Sequence, residues 1–227
     1  MARLKAVQNI LVNFLYEGMK ILDVGCGDGF VSMGLFANLR KKQVAAVDLH
    51  LSDELISTLN SENTGITFQR EMPAKREFDL ILLLDVIEHV QDDTLFLGNL
   101  VNHYLRKKGC VMITVPAFQF IYSGHDAFLG HYRRYSLKDL TQLTTACGLE
   151  VRWSGYLFSS LLLPKLIFFK FFNVAQCNEG VGHWRRGNSV TSFVTGFLML
   201  DNIILSIVNR LGIKIPGLTG WVLCEKR

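Results

Sequence analysis

The stretch Ile21–Phe30 reads ILDVGCGDGF, and it decides the fold of this chain. A short apolar run leads into glycines at every second position, Gly25, Gly27 and Gly29, and a helical pattern follows them directly. Glycine lets the backbone turn tightly and approach a ligand closely, while the N-terminus of the next helix offers unpaired N–H groups and a partial positive charge. The stretch therefore predicts a strand, a ligand-binding turn and a helix.

The spacing of these glycines excludes two common nucleotide-binding motifs. A dinucleotide fingerprint needs Gly-x-Gly-x-x-Gly, but the position after the two spacers is Phe30. The Gly-Lys-Ser/Thr end of a phosphate-binding loop is also missing from this stretch. Asp48, about twenty residues further on, ends the second predicted strand, where its carboxylate can accept hydrogen bonds from two ribose hydroxyls. We therefore expect a ligand with a ribose and an acidic or carboxylate end.

Outward from this stretch, short apolar runs alternate with amphipathic stretches, which is typical of βαβ units around a mainly parallel sheet. The first five predicted strands are apolar enough to be buried on both faces. The strands are predicted at Lys20–Val24, Gln43–Leu49, Gly65–Gln69, Phe78–Leu84, Cys110–Val115, Leu149–Tyr156 and Gly217–Glu225.

Composition excludes several classes of protein. The chain has 227 residues, 49% of them hydrophobic, which excludes disordered and collagen-like proteins. Its 24 basic and 20 acidic residues give a net charge of +4, too mild to require nucleic acid, and we expect no nucleic-acid partner. Its five cysteines contain no Cys-x-x-Cys pair, which argues against a disulfide scaffold and favours a reducing cytosol. Apolar residues between Leu4 and Leu15 recur at helical spacing, so we expect an amphipathic helix and no export signal.

With these features the chain resembles the class I S-adenosylmethionine-dependent methyltransferases. The resemblance rests on LDVGCGDG at 22–29, on Asp48, and on FDLILLLDVIEHV at 78–90, and it covers roughly residues 19–156. It implies a Rossmann-like α/β fold: a seven-stranded, mainly parallel sheet with helices on both faces and an antiparallel last strand. We divide the chain into an N-terminal helix (1–18), a cofactor-binding core (19–156), a hydrophobic helical insertion (157–216) and a final strand (217–227).

The resemblance also implies the cofactor and its site. In this family Asp23 and the glycine loop hold the methionine end of S-adenosylmethionine, Asp48 holds the ribose, and Asp85 lines the pocket. The residue that contacts the adenine stays unassigned, because the register after the third predicted strand is ambiguous. The predicted cofactor-binding residues are Asp23, Gly25, Cys26, Gly27, Gly29, Asp48, Leu49 and Asp85.

Methyl transfer is a direct displacement, so the protein must align the acceptor and deprotonate it if it is a hydroxyl. Histidine suits the second task near neutral pH. We predict His125 and His131 as catalytic residues, because both lie in the loop after the fifth strand, where this fold places substrate loops. That loop resembles a His-Asp…Gly-His-x-Arg-Arg-Tyr segment of bacterial methyltransferases that modify glycans, lipids or secondary metabolites. In an alternative interpretation, these residues only order the loop by pairing with Asp126 or Asp139.

A metal-assisted variant is a second alternative. Carboxylate and imidazole ligands from Glu88, His89 and His125 are compatible with Mg²⁺ or a transition metal. The arrangement is similar to the Glu-x-x-Glu-His metal site of the ubiquinone-biosynthesis O-methyltransferases, with Asp85 in the first position. Our preferred interpretation contains no metal.

The last third of the chain is strongly apolar. The stretch 155–175 is interrupted by Pro164 and two lysines, and Ser189–Val208 reaches spanning length but carries a central Asp201, so neither is predicted to cross a membrane. Three roles stay open for these helices: a lid over the substrate pocket, a homodimer interface, or peripheral contact with a membrane surface. The basic aromatic loop at 183–186 is either a phosphate contact or a solvated connector.

The sequence thus predicts an S-adenosylmethionine-dependent methyltransferase that methylates an oxygen of an apolar, lipid-linked or glycan-type small molecule. The competing hypothesis is a non-catalytic or membrane-associated scaffold with the same fold. We expect a cytoplasmic protein, or one bound at the inner face of the membrane.

Overall fold

The apolar segments of the chain form one seven-stranded sheet in the order β3-β2-β1-β4-β5-β7-β6. The computed structural model describes residues 1–74, 77–172 and 188–227, so Cys177 and the predicted loop at 183–186 lie outside the described residues. Neighbouring strands are parallel except β7, which runs antiparallel to both β5 and β6. The strands are β1 (Lys20–Val24), β2 (Gln43–Val47), β3 (Ile66–Gln69), β4 (Phe78–Leu84), β5 (Leu105–Pro116), β6 (Leu149–Leu157) and β7 (Thr219–Lys226).

Helices connect most of these strands, and polar residues cap several of them. Ser52 and Asp92 accept hydrogen bonds from the first turns of α3 and α4, and Ser136 with Asp139 forms a capping box at the start of α6. The helices are α1 (Ala2–Leu11), α2 (Phe30–Phe36), α3 (Asp53–Glu62), α4 (Asp93–Tyr104), α5 (Gly124–Phe128), α6 (Leu137–Ala146), α7 (Leu162–Phe172) and α8 (Asn188–Arg210).

The sheet is buried on both faces because successive strand residues point to opposite sides. Ile21 and Leu80 belong to the apolar cluster that α1, α2 and α3 cover, whereas Leu22 and Ile81 belong to the cluster that α4 and α6 cover. The predicted class I methyltransferase fold is therefore confirmed, with an antiparallel β7 and with α7 and α8 between β6 and β7.

Two strand bounds differ from the prediction in an informative way, the first of them at the site. Asp48 lies one residue beyond β2, in the turn that leaves the sheet. β5 begins at Leu105 rather than Cys110, because the basic residues that precede Cys110 join the strand, where Arg106 forms an ion pair with the buried Asp79 of β4. The division of the chain into four parts stays a prediction.

Candidate functional site

The glycine loop between β1 and α2 lies at the carboxyl edge of the sheet. Its backbone is tied to β2, because the N–H groups of Gly25 and Cys26 donate to the Val47 carbonyl at 2.7 and 3.2 Å. Gly25, Gly27 and Gly29 all have positive φ (76°, 57° and 79°), a conformation that favours glycine. The conformation of the loop is therefore determined by its backbone hydrogen bonds and by the positive φ angles of its glycines.

Close contacts with neighbouring side chains require glycine at two of these positions but not at the third. A Cβ at Gly25 would lie 2.6 Å from Val86 Cγ2, and one at Gly29 would lie 2.5 Å from the Phe68 ring. A Cβ at Gly27 would meet nothing within 4 Å. Gly27 is thus the point at which the loop faces open space, where a ligand can approach the backbone.

The carboxylates of Asp23 and Asp48 hold the loop and the start of α2 in place through hydrogen bonds. Asp23, 2% exposed, accepts a hydrogen bond from the Ser32 hydroxyl of α2. Burial raises the pKa of Asp23 to about 6, with the Ser32 hydrogen bond acting against that rise and the Asp48 charge adding to it. Asp48 accepts from the N–H of Gly27 and of His50, both at 2.9 Å, and so joins the loop to the end of β2.

The other predicted residues of the loop region differ in exposure. Leu49 is 78% exposed, so its side chain is free to contact a ligand beside Asp48. Cys26 is buried, and burial raises the pKa of its thiol, which makes it a filler of the loop and unsuited to act as a nucleophile.

Asp85 follows β4 with a positive φ of 57°, and its carboxylate is already engaged. It accepts a hydrogen bond from Thr114 Oγ1 of β5 at 3.0 Å and forms an ion pair with Arg3 of α1. Arg3 also donates to Thr114 Oγ1 at 2.7 Å. Sequence reasoning missed Arg3, because nothing in an amphipathic helix pattern shows which strand end its polar side chains will meet.

A group of potential ligand atoms lies directly after Asp85. Atoms of Glu88, His89 and His131 all lie within 4.8 Å of one another, and the two imidazole rings meet edge to face with centroids 4.6 Å apart. His131, not His125, is thus the third member of the predicted metal group. Burial, together with the charge of His131, lowers the pKa of His89.

Glu88 is the unusual member of this group. It is fully buried, and neither carboxylate oxygen has a hydrogen-bond partner among the described residues. Burial raises the pKa of Glu88 to about 8, and the nearby charge of Asp85 adds to the rise. Such a side chain is protonated at neutral pH, or else it is compensated by a cation.

The buried Asp126 organises the loop after β5. It accepts hydrogen bonds from His131 Nδ1 at 3.0 Å and from Arg134 Nε at 2.8 Å, and it caps α5 through the N–H of Ser123. Burial acts to raise the pKa of Asp126, but the bonds from Arg134 and His131 hold it below its usual value. The hydrogen bond to Asp126 uses Nδ1 of His131 and fixes the ring. Nε2 is the ring nitrogen that has no hydrogen bond among the described residues.

The structure separates the two predicted catalytic histidines. His131 belongs to the cluster beside Asp85, and the loop packs there because the N–H of Tyr132 donates to the Glu88 carbonyl at 2.8 Å. His125 lies within α5, and in the described part of the chain only its backbone carbonyl accepts a hydrogen bond, from Leu129. Asp126 also orders the loop, as the alternative interpretation expected, because it binds both His131 and Arg134. His131 therefore has Asp126 as the partner of Nδ1 and keeps Nε2 free.

Comparisons with known proteins agree with this geometry. A family model for a methyltransferase domain matches residues 3–153. Among curated proteins, the chain is 30% identical over 102 residues to the ubiquinone biosynthesis O-methyltransferase of Rickettsia canadensis, a match that covers 42% of each chain. The chain thus spans less than half the length of that relative.

Solved structures show the same fold at low identity. A SAM-dependent methyltransferase from Archaeoglobus fulgidus superposes with a TM-score of 0.59 at 15% identity, covering 100% of this chain and 95% of that one. The mycolic acid cyclopropane synthase CmaA1, solved in complex with SAH and CTAB, gives 0.58 at 16% identity, covering 97% and 83%. The glycine loop, the strand order and the matched family model together place this chain in the class I S-adenosylmethionine-dependent methyltransferase family.

Proposed function

We propose that this protein transfers the methyl group of S-adenosylmethionine to an oxygen atom of a small acceptor that is apolar, lipid-linked or glycan-like. The observation that carries the proposal is the proximity of two features at one edge of the sheet. The glycine loop, tied to Asp48, approaches Val86 at the end of β4, and His131, paired with Asp126, meets His89 three residues further along the chain.

The donor half of the reaction needs binding and orientation. Asp48 holds Gly27 in the open part of the loop and lies where the ribose hydroxyls are expected, while Asp23 and Ser32 fix the loop from beneath. α2 begins at Phe30, directly after the loop, and the Phe30 N–H already donates to Asp28 Oδ1 at 3.1 Å. The N–H groups of Val31 and Ser32 in the same turn are left for the methionine carboxylate.

The acceptor half needs a base. In the proposed mechanism Asp126 accepts the Nδ1–H of His131, which leaves Nε2 to take the proton from the acceptor hydroxyl as oxygen attacks the methyl carbon and the sulfur leaves with the bonding electrons. Positioned general bases contribute roughly 10²- to 10⁴-fold to turnover.

A metal-assisted form of the same reaction has its own supporting observation. A cation or a proton would stabilise the buried, unpartnered oxygens of Glu88, and His89 and His131 supply two further ligand atoms. Two imidazoles and one carboxylate suit a transition metal better than Mg²⁺, which prefers oxygen ligands. A bound metal would lower the pKa of the acceptor hydroxyl, and these three residues would hold it.

The apolar surface of α8 supports the proposed acceptor class. Ser192–Asn209 is long and apolar enough to cross a membrane, and 11% of this window is buried. Asp201 and Asn202 nevertheless accept hydrogen bonds from the backbone of Ser160 and Phe158, so this part of α8 is held to the rest of the protein. We therefore propose that α8 lies against the inner face of a membrane, beside lipid-linked acceptors.

Calorimetric titration with S-adenosylmethionine and S-adenosylhomocysteine tests the donor site. We expect micromolar binding that is lost in Asp48→Ala and kept in Asp53→Ala, because Asp53 is an exposed acidic residue on the neighbouring helix. Absence of binding in the wild-type protein would contradict the proposal.

The base is tested by transfer of labelled methyl groups from the donor to extract fractions. His131→Ala should keep donor binding and lose turnover, whereas His103→Ala, on the far end of α4, should change neither. Repeating the assay after chelation, and then with Zn²⁺, Mn²⁺ or Mg²⁺ added, separates the metal-free form from the metal-assisted one. Donor binding without transfer to any fraction would favour the scaffold hypothesis.

A further inference from the structure

A cavity lies between α1, α8 and the β6–β7 side of the sheet, away from the methyl-transfer site. Its volume is about 210 Å³. Its lining on α1 and just beyond runs from Ala6 to Phe14, and its lining on α8 runs from Asn202 to Asn209. Each run follows two turns of the chain, roughly 10–12 Å at the helical rise per residue. A cavity of this volume drawn out over two turns is narrow, which suits one extended chain better than a fused ring system.

The buried part of the lining is largely apolar. Ala6, Leu157 and Trp221 are all buried. The Nε1 atom of Trp221 is inaccessible, so the indole presents its carbon atoms to the cavity. Phe14 and Trp153 form a further part of the wall and meet edge to face with ring centroids 4.7 Å apart. Such walls favour an alkyl chain, because its burial removes methylene groups from water.

The exposed part of the lining, which we call the mouth, carries a positive charge. Lys214 is the one charged residue that lines the cavity within the described chain. Its ammonium donates to the Ser154 carbonyl, which is a neutral partner. Partial burial lowers the pKa of Lys214, and no carboxylate charge of the described residues acts against this shift. Asn9 and Asn13 are exposed lining residues as well, and their amide groups are further donors. The mouth therefore suits an anionic group.

Exposed apolar residues adjoin the mouth along the chain. Ile207 comes directly after the lining residue Ser206, and Ile213 comes directly before Lys214. These two isoleucines are 57% and 58% exposed. The exposed apolar face of α8 is thus continuous with the cavity, and a molecule with an apolar chain can approach the mouth along this face.

We propose that this cavity binds a single-chain alkyl carboxylate, with its chain against Leu157 and Trp221 and its carboxylate at the ammonium of Lys214. One cation matches one negative charge, which favours a carboxylate over a doubly charged phosphate monoester. The site is independent of the proposed methyl transfer, because its described lining contains no residue of the glycine loop or of the His131 cluster. Either proposal can therefore fail without the other.

Calorimetric titration of the full chain with octanoate tests the site, and octylammonium is the probe of equal chain length and opposite charge. We expect saturable binding of octanoate with a Kd below about 1 mM, as its size allows. Octylammonium should bind at least about tenfold more weakly, because its charge would lie beside that of Lys214. Lack of saturable octanoate binding, or equal affinity for the two probes, would overturn the proposal.

Chain length separates binding in the cavity from binding to a surface lysine. Each methylene that enters an apolar site should tighten binding about fourfold, so octanoate should bind roughly fifteenfold more tightly than hexanoate. Equal affinities would mean that only the carboxylate is bound and would overturn the proposal. Saturating octanoate should leave the affinity for S-adenosylhomocysteine unchanged, whereas competition would place octanoate in the donor site and would also overturn it.

Variants locate the binding. Lys214→Met removes the ammonium and should weaken octanoate binding about tenfold, whereas Lys138→Met, exposed on α6, should not. Ser206→Phe places a ring inside the cavity and should abolish binding, whereas Ile207→Phe, on the exposed side of the same helix, should leave it unchanged. If Ser206→Phe does not fold, as judged by thermal unfolding, the test rests on Lys214→Met, which alters an exposed side chain. Undiminished octanoate binding to folded Lys214→Met would place the ligand elsewhere and overturn the proposal.

Discussion

The proposed donor end and acceptor end of the site, which are the glycine loop and the loop after β5, are held in place by different interactions. At the donor end, the glycine loop is held largely by backbone hydrogen bonds to β2 and by the close approach of Val86 and Phe68. At the acceptor end, the loop after β5 is held by side chains, with Asp126 joined to His131 and Arg134 inside the protein. The first is a property of chain conformation, whereas the second is a network of buried charges.

The difference determines how each end responds to change. A backbone turn tolerates new side chains wherever space is open, but fails where a Cβ meets a neighbour. A buried charge network fails as a unit, because removing one member leaves another uncompensated.

The largest effect is expected from breaking the charge network. Asp126→Ala leaves Arg134 buried and unpaired, and we expect it to lower the free energy of unfolding by about 3–5 kcal/mol. Asp139→Ala removes an exposed capping carboxylate and should cost about 1 kcal/mol. Urea unfolding of both variants measures the difference, and equal costs would show that the network carries no special weight.

The glycine loop gives the next effect, with its own internal control. Gly29→Ala combines a positive φ with a contact into the buried Phe68 ring, and should cost about 2–4 kcal/mol. Gly27→Ala has only the conformational penalty, about 1–2 kcal/mol, because its Cβ meets open space. Thermal unfolding that ranks the two variants in the opposite order would contradict the spatial account of the loop.

Protonation of Glu88 and of Asp23 should change the free energy of unfolding in two different pH ranges. Between pH 4.5 and about 8 the native state holds a proton on Glu88 that the unfolded chain releases, so the free energy of unfolding should fall as pH rises through this window. The slope is at most about 1.4 kcal/mol per pH unit.

Asp23, whose pKa is raised to about 6, gives a fall of the same sign at lower pH. Glu88→Gln should therefore flatten the stability profile between pH 6.5 and 8, and Asp23→Asn should flatten it only below about pH 6. Urea unfolding across this range measures both slopes, and an unchanged slope above pH 6.5 in Glu88→Gln would contradict the assignment.

The smallest effect on stability is expected on the exposed face of α8, which belongs to neither end. Phe193, Phe197, Leu200, Ile204 and Ile207 follow one another at helical spacing and are all exposed. Phe197→Ser should change the free energy of unfolding by less than about 0.5 kcal/mol and should lower co-sedimentation with anionic phospholipid vesicles. Leu205→Ser, on the buried side, should destabilise without this selectivity. Unchanged vesicle binding in Phe197→Ser would argue against membrane contact through this face.

The contrast between the ends also explains what the sequence could predict. Strands with apolar residues on both faces and glycines at fixed spacing are local patterns, so β1, β4 and the loop after Val24 could be located from them. The proposed ligand role of Asp48 depends only on its place after a strand. His131, His125 and Arg3 could not be ranked, because their contacts depend on how distant segments pack: Arg3 meets Thr114, and His131 meets His89. A sequence pattern contains no information on such distances until the sheet is assembled.

The position of β7 in the sheet has a consequence for the order of folding. β7 lies between β5 and β6 and pairs with both, so β6 has no neighbour in the described sheet until β7 arrives. The helices α7 and α8 separate β6 from β7 in the chain. Bringing the two strands together therefore costs conformational entropy before their pairing can stabilise the sheet. The five-stranded parallel half, which carries the glycine loop, can thus assemble while the chain is still being synthesised. The edge formed by β6 and β7 completes only after α7 and α8 have emerged, and until then Tyr156 and Leu157 are exposed to chaperones or to neighbouring chains.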